Sequence, residues 1–491
     1  MTEPRRDQVA WPALTGLAGG VVVLLLSVAG RYGYHRDELY FLRAGREPAF
    51  GYVDQPPLSP LLAHAADTLF GGSLVGLRLL PALAAGLTVL CTGLIAREFG
   101  GSRAAQALAA ACAAVSSILL GTGHLLSTTT FDLLAWTVLS WLIMRGLRDG
   151  GRGWLLAGLV AGVALQNKTT PVFQLGAVTA GVLLVGPRSV WRSPWPWLGG
   201  LVALALWAPN LIWQAAHGFP QLALSRAIAA GSSGTSEPWY AFLPYQLLLI
   251  GPLLVPVWTV GWWRLARDPA LRTWRAFAVA YVLLAVVFMA TGGKPYYLAG
   301  LYPVLLAAGA EPVVRWARAR RVRTALLGAA LLGSLAASVF IVLPVVPVDR
   351  LARTPVPDLY YDAGETVGWP EFAATVSAVR QRIPADEPVA VLTGNYGEAG
   401  AVDRFLPQLA PAYSGHNAYG TWGPPPDAAN TLIVVGLPEE QLRTWFGQVE
   451  LAARIDNGVG LDNDEQGTPV WIVRDRRASW DVLWPQLVRL G

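Results

Sequence analysis

Residues 31–70 read RYGYHRDELYFLRAGREPAFGYVDQPPLSPLLAHAADTLF and stand between two apolar windows, 11–30 and 79–97. A hydrocarbon core takes about 20 apolar residues per helix, so both windows are long enough to cross it and the stretch between them must lie at one membrane face. Asp37, Glu38 and Asp54 are thereby held close to that surface. Segments 37–45 and 58–70 carry enough apolar side chains to lie as helices along the interface. Outward from this loop the pattern repeats at 104–121, 128–146, 154–167, 171–186, 196–215, 241–263, 274–291, 296–314 and 324–343, for about eleven spans. The expected fold is an α-helical polytopic membrane protein with a transmembrane region over 1–343, including a first outer loop over 31–77.

Composition agrees with this reading. Hydrophobic residues make up 54% of the 491, charged residues only 14%, and the mean hydropathy is +0.42. Soluble domains carry about 25% charged residues. A cytosolic enzyme, a disordered chain and a nucleic-acid-binding protein are excluded. The net charge of +5 matters less than where the charges fall. With a cytoplasmic N-terminus, eighteen arginines between Arg5 and Arg323 fall in one set of loops. The other set holds eight basic residues: Arg31, Arg36, Arg43, Arg46, Arg78, Arg226, Lys168 and Lys294. The positive-inside rule puts the first set in the cytoplasm, and an odd number of spans puts the C-terminus outside. The first window, preceded by Arg5 and Arg6, reads as an anchor, because no small-x-small cleavage site ends it. Cys91 and Cys112 lie in apolar runs and build no disulfide framework.

From about residue 344 the long apolar windows stop. Short β-branched runs at 389–393, 431–435 and 470–473 read as buried strands, and 369–382 as a helix. Residues 344–491 are expected to form a soluble extracytoplasmic α/β domain.

The chemistry-bearing residues crowd the outer side. Only two lysines occur, Lys168 and Lys294, and both fall where cations are scarce, which suits an anionic ligand such as a lipid phosphate. Asp132, in LLSTTTFDLLAW, is a carboxylate just inside an apolar window, where an acid is costly without a polar partner. Tyr296 and Tyr297 follow Lys294 in GGKPYYLAGLYP. Blander roles compete: Asp37 as a helix cap, Asp54 as a turn residue, the tyrosines as a headgroup belt. All five histidines fall outside as well, without metal-ligand spacing of the H-E-x-x-H kind.

The order YHRDELYF, GYVDQPP, the Thr-rich Asp132 tract, NKTT at 167–170 and KPYYL at 294–298 resembles the GT-C membrane glycosyltransferases. It is similar in particular to glycosyltransferase family 39, the polyprenyl- or dolichyl-phosphate-mannose protein mannosyltransferases and their bacterial relatives, which include the lipid A aminoarabinose transferase. The resemblance covers residues 1 to about 320. It implies a bacterial cell-envelope enzyme of the cytoplasmic membrane that takes a sugar from a polyprenyl-phosphate donor and transfers it, with inversion, to an acceptor on the outer face. Asp37 is the implied general base, with Glu38 and Asp132 in support. Lys168 and Lys294, with Tyr296, Tyr297, Arg43 and Arg46, would hold the donor phosphate and lipid. Asp54 and His35, with Tyr396, Glu398, His416 and Asn417 from GNYGEAGAVDRF (394–405) and YSGHNAYGTWGPPP (413–426), are candidates for sugar or acceptor binding. Asp37, Asp54 and Asp132 are the candidate ligands should a divalent cation take part; no other cofactor is expected. A transporter of lipid-linked sugars is the alternative reading, weakened because no internal repeat is visible and the acids crowd one face. A membrane-anchored scaffold does not need so many spans.

Overall fold

The computed structural model describes residues 8–231 and 238–491, so Arg5 and Arg6 lie outside the described residues. The helices of the first two thirds are α1 Trp11–Val28, α2 Arg36–Ala44, α3 Leu58–Leu69, α4 Leu74–Glu98, α5 Arg103–Ala114, α6 Ser117–His124, α7 Thr128–Asp149, α8 Gly153–Leu165, α9 Pro171–Val185, α10 Pro194–Ala216, α11 Pro220–Ala229, α12 Phe242–Ile250, α13 Val255–Arg267, α14 Ala276–Ala290, α15 Tyr302–Arg318 and α16 Arg321–Val342. Each apolar window of the sequence overlaps at least one of them. Among the described residues six helical stretches are long and apolar enough to cross a membrane, and up to eight if each bent pair counts as one span. The bent pairs are α5 with α6, at 57°, and the 239–250 and 252–267 segments around α12 and α13, at 83°. Helices α8, α9 and α14 are apolar but only 13, 15 and 15 residues long. At 1.5 Å per residue they reach roughly 20 Å, short of a core of about 30 Å, so none of the three crosses it by its own length. An exact count of eleven spans is therefore not established by length and composition.

Small residues set the helix packing, because apolar burial alone does not drive helices together in lipid. Where α13 crosses α15, a Cβ on Gly261 would stand 1.8 Å from the Leu305 carbonyl oxygen, and one on Gly309 would stand 1.9 Å from that of Val257. Only two glycines allow backbones that close.

Beyond α16 come α17 Val348–Leu351, α18 Val356–Leu359, α19 Trp369–Gln381, β1 Val389–Thr393, α20 Tyr396–Phe405, β2 Tyr413–Ser414, α21 Ala418–Thr421, β3 Thr431–Val435, α22 Glu439–Trp445, β4 Phe446–Arg454, β5 Pro469–Arg476 and α23 Trp480–Leu487. The sheet order is β2-β1-β3-β5-β4, with β1 parallel to β2 and β3, and β5 antiparallel to β3 and β4. The three expected strands are β1, β3 and the middle of β5. Strand β4 is an edge whose residues are mostly exposed, so it lacks the apolar run by which the others are legible.

The change of texture at 344 does not mark a break in packing. One core cluster joins Leu39, Tyr40 and Phe41 of α2 to Phe372 of α19, Val402 of α20 and Ile433 of β3. The segment between α1 and α4 and the C-terminal unit share their apolar interior.

Candidate active site

The site is built on the N-terminus of α2. His35 is the cap: its Nδ1 accepts the Asp37 N–H at 3.1 Å, and Glu38 Oε2 accepts the His35 N–H at 2.9 Å, which closes a capping box. Asp37 is thus not the cap. Glu38 is fully buried and receives Arg78 Nε at 3.0 Å and Nη2 at 2.8 Å, together with the Leu126 N–H at 3.0 Å. Arg78 also donates to the carbonyls of Ala29, at 2.8 Å, and Gly33, at 2.6 Å. With both oxygens engaged, Glu38 is a strut joining the end of α1, α2, α4 and the start of α7, and it has no oxygen left for proton transfer. Asp37, about 100° around the helix, is half-buried, and its Oδ1 accepts the Tyr396 hydroxyl at 2.8 Å.

Two loops deliver the lysines. Lys168, between α8 and α9, donates to Thr129 Oγ1 at 3.1 Å and stands 5.2 and 5.1 Å from the ring centres of Tyr296 and Tyr297. Lys294, just before α15, is 6.0 Å from the Tyr296 ring. Both tyrosines therefore serve as walls for cations. Asp132 Oδ1 accepts the Thr170 hydroxyl at 2.7 Å. Burial depresses Lys168, opposed by the charges of Asp132 and Asp37. Burial, then the charge of Lys168, pulls Lys294 down to about 8, and Asp37 opposes this. Two ammonium groups that repel one another in a poorly hydrated place would be stabilised by an anion. Asn167 sets the loop, with Ser59 donating to its Oδ1 at 2.7 Å and its Nδ2 donating to the Thr128 carbonyl at 2.8 Å. Asp132, Lys168, Lys294, Tyr296 and Tyr297 are thus gathered from three parts of the chain, and the charge of Asp37 acts on both lysines.

A second polar cluster adjoins Asp37. Asp54 takes the Tyr40 hydroxyl on Oδ1 at 2.8 Å and the Asn417 amide on Oδ2 at 3.5 Å. Burial, helped by the Asp37 charge, pushes its carboxyl up to about 7. The ring of Tyr396 is 4.8 Å from that of Tyr40 and 4.8 Å from that of His416. His416 is pushed down to about 3, chiefly by burial, so it is neutral, and its Nε2 donates to the Gly491 carbonyl at 2.9 Å. Asn417 accepts the Gly491 N–H on Oδ1 at 3.1 Å.

Several expected residues are occupied elsewhere. Glu398 closes the capping box of α20 with Asn395 and is buried, which pushes it up to about 7. Its carboxyl group is bound to backbone N–H groups. Arg43 pairs with Glu47 at 2.9 Å and Asp403 at 3.2 Å and lies over Trp422, and Arg46 lies 3.7 Å from Asp67. Arg43, near the end of α2, thus faces Asp403 of the C-terminal unit, and Arg46, just beyond α2, faces Asp67 of α3. His35 caps α2, with Nε2 3.5 Å from Asp362. Among the described residues no group of three or more His, Cys, Asp or Glu side chains converges as a metal site requires, so Asp37, Asp54 and Asp132 do not form one together. A cavity of about 470 Å³ opens beside Arg31, Tyr32, Val346 and Asn457, and none of the candidate residues lines it.

Arg36 and Arg78 escaped sequence reasoning. Arg36 pairs with Glu365 at 3.0 Å and Asp464 at 3.1 Å and lies 5.8 Å from the Tyr396 ring, locking α2 to the C-terminal unit. A basic residue directly before two acids was the available signal.

Residues 54–213 match the dolichyl-phosphate-mannose-protein mannosyltransferase family. The chain is 26% identical over 314 residues to an undecaprenyl phosphate-alpha-4-amino-4-deoxy-L-arabinose arabinosyl transferase of Pseudomonas fluorescens, covering 58% of this chain and 53% of the relative. A Pseudomonas aeruginosa protein of the same name is 26% identical over 289 residues, covering 54% and 50%. The match thus spans about half the length of these relatives. The fold is similar to that of ArnT from Cupriavidus metallidurans, solved in the apo state with a TM-score of 0.60, 16% identity and coverage of 94% of this chain and 97% of the other. The same protein has been solved bound to undecaprenyl phosphate, with a TM-score of 0.60, 16% identity and coverage of 93% and 97%. The oligosaccharyltransferase of Archaeoglobus fulgidus matches more loosely, with a TM-score of 0.51, 13% identity and coverage of 82% and 63%. Over residues 54–213 the chain is similar to the dolichyl-phosphate-mannose-protein mannosyltransferase family, and its fold is similar to that of ArnT.

Proposed function

We propose that this protein is an integral-membrane glycosyltransferase that moves a monosaccharide from a polyprenyl-phosphate donor to an acceptor at the outer face of the cytoplasmic membrane. The observation that carries this reading is the convergence of two ammonium groups, Lys168 and Lys294, on the Tyr296 ring beside Asp132, with the charge of one carboxylate, Asp37, acting on both. The relatives named as undecaprenyl-phosphate sugar transferases support the donor class.

In the proposed reaction Asp37 takes the proton of the acceptor hydroxyl, and the freed oxygen attacks the anomeric carbon. The carbon–oxygen bond to the phosphate breaks with its electron pair on the leaving oxygen, which departs as polyprenyl phosphate, and the single displacement inverts the anomeric centre. Lys168 and Lys294 neutralise the charge that builds on that phosphate. Asp132, bonded to Thr170 and electrostatically coupled to Lys168, keeps that lysine in place. Tyr296 and Tyr297 border the lipid path, and Asp54 with Asn417 offers polar contacts to sugar or acceptor. In this reading residues 1–343 form the catalytic membrane region and 344–491 an extracytoplasmic α/β unit.

The test is a panel of labelled polyprenyl-phosphate sugars offered to the protein in nanodiscs, with membrane extract as acceptor, for wild type and Asp37→Asn. Sugar transfer by wild type alone is expected. Binding without cleavage, with movement of the lipid across a vesicle membrane, would replace the proposal with a transporter. Reporters at Gly151 and Gly231 are expected on opposite sides; finding both on one side would overturn the orientation.

A further inference from the structure

Taking Asp37 as the base, we infer that the C-terminal unit supplies part of the active site, with Tyr396 as the positioning residue of Asp37. Tyr396 is the first residue of α20, directly after Asn395. Asn395 Oδ1 accepts the Glu398 N–H at 2.9 Å and Glu398 Oε2 accepts the Asn395 N–H at 3.0 Å, so the turn that presents Tyr396 is fixed from both sides. Helix α20 then lies directly on α2. A Cβ on Gly397 would stand 2.8 Å from Arg36 Cβ, and one on Gly400 would stand 2.9 Å from Leu39 Cβ and 3.0 Å from its carbonyl carbon. Any larger residue there would separate the two helices and carry the phenol away from the carboxylate.

The phenol hydroxyl donates to Asp37 Oδ1 at 2.8 Å, while its ring is held between those of Tyr40 and His416. A hydroxyl fixed on one oxygen stops the carboxylate rotating and leaves the other oxygen as the proton acceptor. Holding a reacting group in one orientation is a large part of what a protein contributes to catalysis. The contact crosses 359 residues of sequence, between two parts of the chain that composition alone separates. The donor-phosphate contacts come from other loops, so loss of the hydroxyl falls on turnover and not on donor binding.

The experiment uses the full-length protein in nanodiscs. The infrared difference spectrum of wild type minus Asp37→Asn isolates the Asp37 carboxylate band, and the same subtraction is made in the Tyr396→Phe background. The band is expected to shift when the hydroxyl is lost, because the stretching frequency of a carboxylate reports its hydrogen bonds. Gly400→Ala is expected to reproduce the shift while keeping the hydroxyl. With a donor that the wild type turns over, Tyr396→Phe is expected to lower kcat about tenfold at unchanged donor KM. An unmoved band in Tyr396→Phe overturns the inference whatever happens to activity. A shifted band with full activity in Asp37→Asn removes Asp37 as base and leaves the contact between the two units standing, so the two failures are told apart.

Discussion

At one end of the helical bundle Arg148 bonds Glu98 and Asp149, Ser102 donates to Glu311 through its N–H at 2.9 Å and its hydroxyl at 2.8 Å, and Arg264 reaches Asp268 at 3.2 Å and the Ala308 carbonyl at 3.0 Å. At the other end Lys168 meets a neutral threonine hydroxyl and two aromatic rings, with the charges of Asp132 and Asp37 opposing the cost of its burial. Arginine with a carboxylate makes a closed, geometrically fixed pair, whereas an ammonium against hydroxyls and π-faces keeps capacity for another anion. The same contrast recurs inside α2, where Glu38 is closed by Arg78 and Asp37 accepts a hydrogen bond from a phenol. Closed pairs hold a structure together, and partly satisfied charges are where a ligand or a proton can be exchanged.

The comparison breaks most plainly at Asp37 itself. Asp37→Asn is expected to reduce sugar transfer by about a thousandfold with folding intact, since general-base catalysis typically contributes 10²–10⁴-fold. Turnover of a labelled donor measures this, and near-normal turnover would erase the distinction between Asp37 and Glu38. Arg78→Ala probes the closed pair. It leaves Glu38 buried without its cation and is expected to cost about 3–5 kcal/mol, read as a lowered melting temperature in detergent. Lys294→Met is expected to raise the donor KM by roughly 10- to 100-fold, the worth of one charge-assisted contact to phosphate. A donor KM that does not change would remove that lysine from the phosphate site.

The pH dependence sharpens the same contrast with a smaller effect. Burial and Lys168 hold Lys294 near 8, so its ammonium is present below that pH and is lost as pH rises through it. Donor affinity should fall severalfold between about pH 7 and 9, by an amount that Lys294→Met abolishes. Glu398→Gln should change least, within about 0.5 kcal/mol of stability, because glutamine completes a capping box as glutamate does.

Much of this protein is legible in its residues. Runs of apolar side chains locate the membrane helices, and three β-branched runs locate β1, β3 and β5, because both signals are local and strong. The types of residue at the site are legible too, since a carboxylate or lysine at the edge of an apolar window is too costly to be casual. Partnership is not legible. Arg43 and Arg46 carry the same charge as Lys168 and Lys294 and lie closer in sequence to Asp37, yet they turn to Asp403, Glu47 and Asp67. The capping role of Glu398 was readable from N-Y-G-E after a strand, a spacing that marks a helix start as readily as a ligand site. Strand β4 was hidden because an exposed edge needs no apolar face.

By itself the sequence determined that the chain lives in a membrane, where its helices run, that a mixed α/β unit follows them, and which side chains were expensive enough to demand a purpose. Only the tertiary structure closed Glu38 against Arg78, drew Lys168 and Lys294 to one ring, and laid α20 on α2 so that Tyr396 meets Asp37. The reason is one of range. Burial cost and helix propensity are set within a few residues, whereas a hydrogen bond or ion pair depends on positions that distant backbones acquire only when they pack.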